Sequence, residues 1–214
     1  MVIGAQWGDE GKGKIVDYLA AKADVVVRSQ GGNNAGHTVV TGGKAYPLRL
    51  MPSGIMYPGT ICIIGTGVVV DPKSLLEEMK RLEDQGIDAR HLQISTRAQV
   101  VFPYHIRLDE AEEARKGSRK IGTTKNGIGP CYADKINRIG IRMCDLMDKE
   151  TFAEKLKYNV AQKNMLLEKL YGMEGFDYET MLDDYLGYAE KLRPYVKDTN
   201  YTGQTLARIH ICRC

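Results

Sequence analysis

A glycine-rich segment close to the amino terminus constrains the fold of this chain more than any other feature. The string Gly8-Asp9-Glu10-Gly11-Lys12-Gly13-Lys14 follows a short apolar run at residues 1–3 and precedes Ile15-Val16-Asp17-Tyr18-Leu19, which has helical spacing. A second apolar run, Val25-Val26-Val27, leads into Gln30-Gly31-Gly32. The order strand, glycine loop, helix, strand is typical of α/β units. We therefore predict an α/β fold with a largely parallel central sheet and a P-loop-like glycine loop.

The middle of the chain continues this alternation. A third buried strand is predicted at residues 60–64, with Gly65-Thr66-Gly67 following it, and then a helix that Asp71 caps and Gly86 ends. One apolar stripe of that helix is formed by Leu75, Leu76, Met79 and Leu82. Its charged residues are most simply interpreted as a solvated face, and they are Glu77, Glu78, Lys80 and Arg81.

The second half of the chain is predicted to be a loop followed by two helices. Residues 109–135 change character, and within them a basic run from Arg115 to Lys120 leads into residues 122–130, which indicates a loop able to hold an anion. Helices are predicted at about 149–171 and 177–192. Their proposed apolar faces are Phe152, Leu156, Leu166, Leu167 and Leu170, and then Met181, Leu182, Tyr185, Leu186, Ala189 and Leu192. We divide the chain into an α/β part (1–145), a helical excursion (146–200) and a divergent tail (201–214).

Composition narrows the functional classes. Thirty Lys and Arg against 27 Asp and Glu give a net charge of +3, which provides no reason to expect a nucleic-acid partner. The sequence contains no run of about 18 consecutive apolar residues, the length expected of a membrane-spanning helix. The opening residues lack the pattern of a secretory signal, so a cytoplasmic location and reduced thiols are expected. The tail His210-Ile211-Cys212-Arg213-Cys214 does not have zinc-site spacing.

The glycine loop has the chemistry of a phosphate-binding loop with one change. Glycines allow main-chain N–H groups to surround phosphate oxygens, and Lys12 and Lys14 add positive charge. Ile15 stands where the usual pattern has a Ser or Thr that binds magnesium. A hard cation would then need another oxygen ligand, so Asp9 is a metal ligand, a base, or both. The alternative is a glycine-rich surface turn with solvated charges.

A second loop, Asn33-Asn34-Ala35-Gly36-His37-Thr38, is expected to close the next βα unit at the same end of the sheet. His37 would then face Asp9 across one site. There Asn34 could bind a polar ligand, the carbonyl of Gly36 could accept, and His37 could donate to a developing negative charge. Alternatively, His37 is an ordinary structural histidine, which is the interpretation we apply to His91 and His105.

Several motifs occur together, in the order Gln6 to Lys14, Gln30-Gly31-Gly32, Asn34 to Thr38, Pro52-Ser53-Gly54-Ile55, Ile121-Gly122-Thr123-Thr124 and Gly127-Ile128-Gly129-Pro130. From residue 1 to about residue 200 the chain resembles the adenylosuccinate synthetase family. The resemblance implies a homodimeric, magnesium-dependent ligase of AMP biosynthesis. It would join IMP to L-aspartate with GTP as phosphoryl donor, through a 6-phosphoryl-IMP intermediate.

The resemblance also implies roles for particular residues. Asp9 would remove a proton from IMP, His37 would assist as an acid, and Lys12 would bridge the reacting phosphates. Asp9 and the carbonyl of Gly36 would hold Mg²⁺. The implied GTP contacts are Gly8, Asp9, Glu10, Gly11, Lys12, Gly13, Lys14, Gly36, His37 and Thr38. The implied IMP contacts are Asp9, Glu10, Gly11, Lys12, Asn34, Ala35, Gly36, His37 and Thr124, with Arg138 reaching into the IMP site of the partner subunit.

Three departures from the family pattern are expected to matter. The opening strand is short, and Asn126 stands where the family has Arg or Lys, which would weaken aspartate binding unless Lys125 compensates. The tail after residue 200 no longer resembles the family, whose members continue further. We expect a fragment or a frameshifted gene model with little or no ligase activity. An inactive module that binds IMP or GTP, and a GTPase switch, are the alternatives.

Overall fold

The computed structural model describes residues 12–117 and 122–199, with the backbone alone for 12–14. The predicted strand at residues 1–3, the loop at 8–11 and the tail from residue 201 lie outside these residues. The described helices are α1 (Lys12–Ala20), α2 (Pro72–Glu83), α3 (Pro103–Arg115), α4 (Ile128–Ile136), α5 (Met143–Met147), α6 (Lys149–Tyr171) and α7 (Tyr178–Leu192), with 3₁₀ turns at Ser53–Met56 and Arg193–Tyr195.

The central sheet is parallel, as predicted. Its strands are β1 (Val25–Gly31), β4 (Ile61–Val70), β5 (Leu92–Ser95) and β7 (Val196–Lys197), in that spatial order, and β6 (Gln99–Val100) pairs with the far end of β4. A separate antiparallel hairpin joins β2 (His37–Thr41) to β3 (Lys44–Leu48). Strands buried on both faces are continuously apolar, and β4 has this character. The prediction of an α/β fold is confirmed.

The predicted end of β4 was wrong. Gly65-Thr66-Gly67 does not follow the strand but lies inside it. An added Cβ at Gly65 would lie 3.1 Å from the carbonyl oxygen of Arg28, and one at Gly67 would overlap the carbonyl oxygen of Ser29. The pairing of β1 with β4 also shifts register at this point. These glycines therefore allow two backbones to approach closely at an irregularity, rather than forming a turn.

The predicted loop, which runs from the basic residues at Arg115 to Pro130, ends earlier in the structure than expected. Helix α3 continues to Arg115, and α4 begins at Ile128. Pro130 lies in the first turn of α4, where its missing N–H removes no intrahelical bond. Gly127 caps α4 with a φ of 69°, which explains a glycine there. Among the described residues, 122–127 remain as the loop.

Helices α6 and α7 lie where the sequence placed them, but the buried face of α6 differs from the prediction. Leu166 and Leu170 are 44% and 51% exposed. The buried positions are Phe152, Leu156, Asn159, Val160, Lys163 and Leu167. Two polar residues thus occupy positions on the core side, and the leucines at 166 and 170 lie beside the contact face. Phe152 and Leu156 belong to the same apolar cluster as the strands of the sheet. The division at residue 145 stays a prediction.

The two polar residues on α6 have partners in the interior. Lys163 donates to Asp134 of α4 at 2.5 Å, and the other carboxylate oxygen lies 3.0 Å from Nε2 of His105 on α3. Nδ1 of His105 accepts from the backbone N–H of Phe102 at 2.9 Å. Nδ1 is therefore unprotonated and Nε2 carries the proton that is donated to Asp134. This triad joins three helices and supports the structural interpretation of His105.

Acid is expected to destabilise the fold partly through His105. Burial lowers the pKa of His105 below its usual 6.5, although Asp134 opposes the shift and Lys163 adds to it. As the pH falls through about 6.5, the unfolded chain takes up this proton first, so the stabilisation that is complete above that pH is lost progressively. Urea unfolding between about pH 7.5 and 5 should show a shallower decline for His105→Asn than for the wild type. An unchanged slope in His105→Asn, with His91→Asn as control, would contradict this assignment.

The cysteines that the structure describes are free thiols. Cys62 and Cys131 are buried, and Cys144 is partly buried. Burial raises the pKa of Cys62 to about 12, so this thiol is protonated and unreactive near neutral pH. This agrees with the expectation of reduced cysteines for that part of the chain. Cys212 and Cys214 lie outside the described residues. No helix in the two described ranges combines the length and the apolar content needed to cross a bilayer.

Candidate functional site

The candidate site begins where β1 ends. The loop at residues 32–36 leads into the β2–β3 hairpin, so the predicted βα unit was wrong at this point. The loop is fixed on its inner side by Arg28, whose Nη2 donates to the carbonyl of Gly32 at 2.6 Å. An added Cβ at Gly32 would lie within 3.0 Å of Val69 and Ile128 atoms, so the chain passes through a gap that admits only glycine.

Tyr132 of α4 supports the same loop from the sheet. Its hydroxyl accepts from the N–H of Gly31 at 2.9 Å and donates to the carbonyl of Gly67 at 2.6 Å. The hydroxyl thus joins β1 to β4 at the point where their register shifts. Polar groups of both strands at this end of the sheet are therefore hydrogen-bonded to one side chain.

Asn33 anchors the loop to α2. It is 5% exposed, and its Nδ2 donates to Ser74 at 3.2 Å and to Asp71 at 3.4 Å. Asp71 is the cap of α2, as predicted, because its carboxylate accepts the N–H groups of Lys73 and Ser74. The amino-terminal end of α2 therefore determines where the loop lies.

Two cavities meet at Gly36 and His37. One, of about 290 Å³, is lined by Asn33, Asn34, Gly36, His37, Thr38, Pro47, Leu48, Arg49 and Asn126. The other, of about 360 Å³, is lined by Val16, Val26, Val27, Arg28, Ser29, Gln30, Ala35, Gly36, His37, Met51, Pro52 and Ser53. Gly36 and His37 are thus placed on the wall that separates two spaces, each large enough for part of a small ligand.

His37 is poised as a neutral imidazole. Burial lowers its pKa below 6.5, the positive charge of Arg28 lowers it further, and the carboxylates of Glu78 and Asp17 act in the opposite direction. A neutral imidazole offers one N–H donor and one acceptor, so His37 can donate a hydrogen bond without carrying a charge. This favours hydrogen-bond donation to a developing negative charge, the role that the sequence suggested.

Glu78 is a residue at the site that sequence reasoning missed. The prediction of a solvated charge was wrong, because Glu78 is 3% exposed and accepts the backbone N–H groups of residues 49, 50 and 51. The sequence did contain a signal. Position 78 lies three residues after Leu75 and four before Leu82, which is the spacing of the buried stripe. A charged residue on that stripe indicates a buried, partnered carboxylate.

The other predicted residues are distributed around this wall or lie elsewhere. Asn34, Ala35 and Thr38 line one cavity or the other. Thr124 is exposed and lines neither, although Asn126 lines the first. Arg138 is exposed just after α4 with a φ of 63°. Lys12, Gly13 and Lys14 are described as backbone in the first turn of α1, and Gly8, Asp9, Glu10 and Gly11 lie outside the described residues.

The donor set of the described residues fits a magnesium ion carried by phosphates. Within residues 12–117 and 122–199, no cluster of three or more His, Cys, Asp or Glu is placed to hold a metal. The carbonyl of Gly36, on the shared wall, is an oxygen donor of the kind that Mg²⁺ prefers. Magnesium commonly takes one or two protein ligands and completes its shell with phosphate and water. Gly36 is compatible with such a site, whereas a metal centre held by these side chains alone is not.

Comparison with known proteins decides the family. The family model of adenylosuccinate synthetase matches residues 1–208. The chain belongs to the adenylosuccinate synthetase family. An adenylosuccinate synthetase of Heliobacterium modesticaldum is 63% identical over 200 residues, and the relative from Bacillus cereus is 58% identical over 200 residues. The resemblance inferred from the motifs is confirmed.

A solved member of the adenylosuccinate synthetase family has the same architecture. The structure described as a fully ligated adenylosuccinate synthetase from Plasmodium falciparum matches with a TM-score of 0.83 and 38% identity, over 96% of this chain and 48% of that one. The aligned regions cover 94% of this chain and 47% of the proteins from H. modesticaldum and B. cereus. The chain therefore spans about half the length of the curated relatives it matches.

Proposed function

We propose that this chain carries the amino-terminal part of a site that joins IMP to L-aspartate with GTP as phosphoryl donor, forming adenylosuccinate for AMP synthesis. The observation that carries the proposal is the position of Gly36 and His37 on the wall between two cavities. Such a wall suits a reaction in which a purine and a nucleoside triphosphate must meet. Family membership supplies the identity of the substrates.

The proposed chemistry has two steps. Asp9 accepts the N1 proton of IMP, and the purine O6 attacks the γ-phosphorus of GTP, so that the bond to GDP breaks and 6-phosphoryl-IMP forms. The amino group of aspartate then attacks C6, phosphate leaves with the C6–O6 electron pair, and the proton that the new C–N bond displaces from the nitrogen goes to the departing phosphate. Positioning and charge neutralisation provide most of the rate in such transfers. His37 donates a hydrogen bond to the developing charge, and Lys12 neutralises the reacting phosphates.

The remaining contacts are proposed from the same correspondence. GTP phosphates would bind the main chain from Gly8 to Lys14, including Asp9, Glu10, Gly11, Lys12 and Gly13, and that of Gly36, His37 and Thr38. IMP would bind Asp9, Glu10, Gly11, Lys12, Asn34, Ala35, Gly36, His37 and Thr124. Mg²⁺, held by Asp9 and the Gly36 carbonyl, would neutralise charge on the transferring phosphoryl group.

Assembly and location follow from the same proposal. An exposed Arg138 beyond α4 is free to extend toward another molecule, which supports its role in the IMP site of a partner subunit in a homodimer. A cytoplasmic location is proposed because the substrates are charged nucleotides, which do not cross a lipid bilayer unaided. Because position 126 is Asn, Arg49 is the one Arg or Lys among the described residues that line the first cavity. Dicarboxylate binding is therefore expected to be weaker than in relatives with a basic residue at position 126.

Substrate dependence tests the proposal. We expect residues 1–199, joined to the remaining carboxyl-terminal half of the H. modesticaldum relative, to release phosphate from GTP only when IMP and aspartate are both present. The 214-residue chain alone is expected to show little or no adenylosuccinate formation. Phosphate release without IMP would instead indicate a GTPase switch. Binding of IMP by the joined protein without turnover would indicate a binding module and would contradict the proposal.

A further inference from the structure

Glu78 lies directly behind the candidate site. Its Oε1 accepts the N–H groups of Arg49 at 2.7 Å and Met51 at 3.3 Å, and its Oε2 accepts that of Leu50 at 2.9 Å. Three successive main-chain donors thus converge on one carboxylate from a helix. Among the described residues Glu78 forms no ion pair, so these amides donate its described hydrogen bonds, while the charge of Arg28 also attracts the carboxylate.

The segment that Glu78 holds continues directly into the site wall. Leu48 pairs with His37 across the β2–β3 hairpin, and an added Cβ at Gly36 would lie only 3.2 Å from the Leu48 carbonyl oxygen. Gly36 therefore packs closely against the residue that precedes the held segment. A displacement of Leu48 would necessarily displace Gly36 and His37, because closely packed backbones cannot absorb it.

Both cavities depend on the same segment. Arg49 lines the first and Met51 lines the second. Helix α2 also holds Asn33 through Asp71 and Ser74. The helix therefore contacts the site at two points, Ser74 and Glu78, which lie about one turn apart along its axis. The loop at residues 32–36 and the segment at 49–51 are thus fixed to one rigid element.

We propose that Glu78 is a positioning residue, which sets the geometry of Gly36 and His37 by fixing the main chain at residues 49–51. A carboxylate suits this role because it accepts several N–H groups at once, whereas a glutamine at the same place presents an NH₂ group that cannot accept. Glu78 lines neither of the two cavities. The inference rests on the proposed function only for the identity of the ligands, since the geometry itself is defined in the unliganded chain.

The first experiment needs no ligand. Amide resonances and hydrogen exchange are measured in the 214-residue chain for Glu78→Gln, for the exposed neighbour Glu77→Gln, and for Leu82→Ala, a buried change on the same helix. Exchange at Leu50 is expected to accelerate at least about tenfold in Glu78→Gln, because a buried donor loses its acceptor. The amide resonances of Gly36 and His37 should shift in that variant and in Glu78→Asp, which keeps the charge that acts on His37, but not in the other two variants.

This design separates positioning from general destabilisation. Leu82→Ala lowers stability by removing core packing but leaves the carboxylate in place. If Gly36 and His37 were unchanged in Glu78→Gln, or moved equally in Leu82→Ala, the proposal would be overturned. Glu78→Asp keeps the charge and shortens the side chain by one methylene, so it replaces Glu78→Gln if that variant does not fold, with the same expected pattern.

The second experiment adds the ligands. Calorimetric titration with IMP in the presence of GTP and magnesium is expected to show at least about tenfold weaker binding for Glu78→Gln than for Leu82→Ala, with Glu77→Gln like the wild type. Equal affinities in all variants would contradict a positioning role. If the wild-type chain binds neither nucleotide, the proposed function fails for this chain, and the first experiment still decides the role of Glu78.

Discussion

Replacing His37 with asparagine is expected to abolish phosphoryl transfer to IMP while leaving the fold intact. Removal of a positioned acid or base typically lowers a rate by about 10²–10⁴-fold. The imidazole stands on the wall common to both cavities, so its loss removes a donor at the point where the two substrates would meet. The rate of GTP-dependent phosphate release is measured in the joined protein described above, with IMP and aspartate present.

Two comparisons make this result interpretable. Asp9→Asn is expected to have an effect of the same order, since both residues are proposed to act on one purine. His91→Asn removes a histidine that lines neither of the two cavities, and it should leave the rate unchanged. Affinity for IMP should change only a few-fold in His37→Asn if the imidazole acts chiefly in the transition state. A near-normal rate in His37→Asn would remove His37 from the proposed mechanism.

Replacing Asp134 with alanine is expected to produce the largest loss of stability, about 3–5 kcal/mol, because it leaves a buried charge without its partner. Burial alone would raise the pKa of Asp134, but the hydrogen bonds from His105 and Lys163 outweigh this effect and lower it. The carboxylate is therefore ionised at neutral pH and compensates the Lys163 ammonium, whose side chain is 9% exposed. Urea unfolding at neutral pH measures the change.

A double variant tests the electrostatic origin of this loss. Combining Asp134→Leu with Lys163→Met removes both charges and is expected to recover a large part of the stability, because no unpaired charge remains. Asp183→Asn, at an exposed position of α7, should change the free energy of unfolding by no more than about 0.5 kcal/mol. A double variant as unstable as Asp134→Ala would indicate that lost packing, rather than an unpaired charge, causes the effect.

Local patterns predicted the regular elements well where one face of a helix was apolar. Helix α6 begins at Lys149 and α7 at Tyr178, close to the predicted limits, because Asp148 and Asp177 cap them and a periodic apolar stripe follows. The glycines of β4 were misjudged for a different reason. A glycine required by the approach of a neighbouring strand has the same local sequence as a glycine that makes a turn.

The candidate site was likewise predicted only in part from the sequence. The residue types and their spacing indicated Asn34, Gly36 and His37, since loops after strands commonly bind ligands. Nothing local indicated that the loop leads into a hairpin, or that both cavities share Gly36 and His37. Tyr132 contributes to the site from about 100 residues further along the chain. Such a contact depends on how α4 packs on the sheet.

The sequence by itself determined the α/β class, the cap of α2, the approximate limits of α6 and α7, the family, and the residues on which the chemistry was predicted to depend. These follow from spacing and residue type over short stretches, where local geometry is sufficient. Only the tertiary structure decided that Glu78 is buried against three amides and that Asp134 joins His105 to Lys163. Helical spacing indicates that Glu78 lies on a buried stripe, but it does not identify the partners of Glu78 or Asp134, because those groups are distant along the chain and only folding places them together.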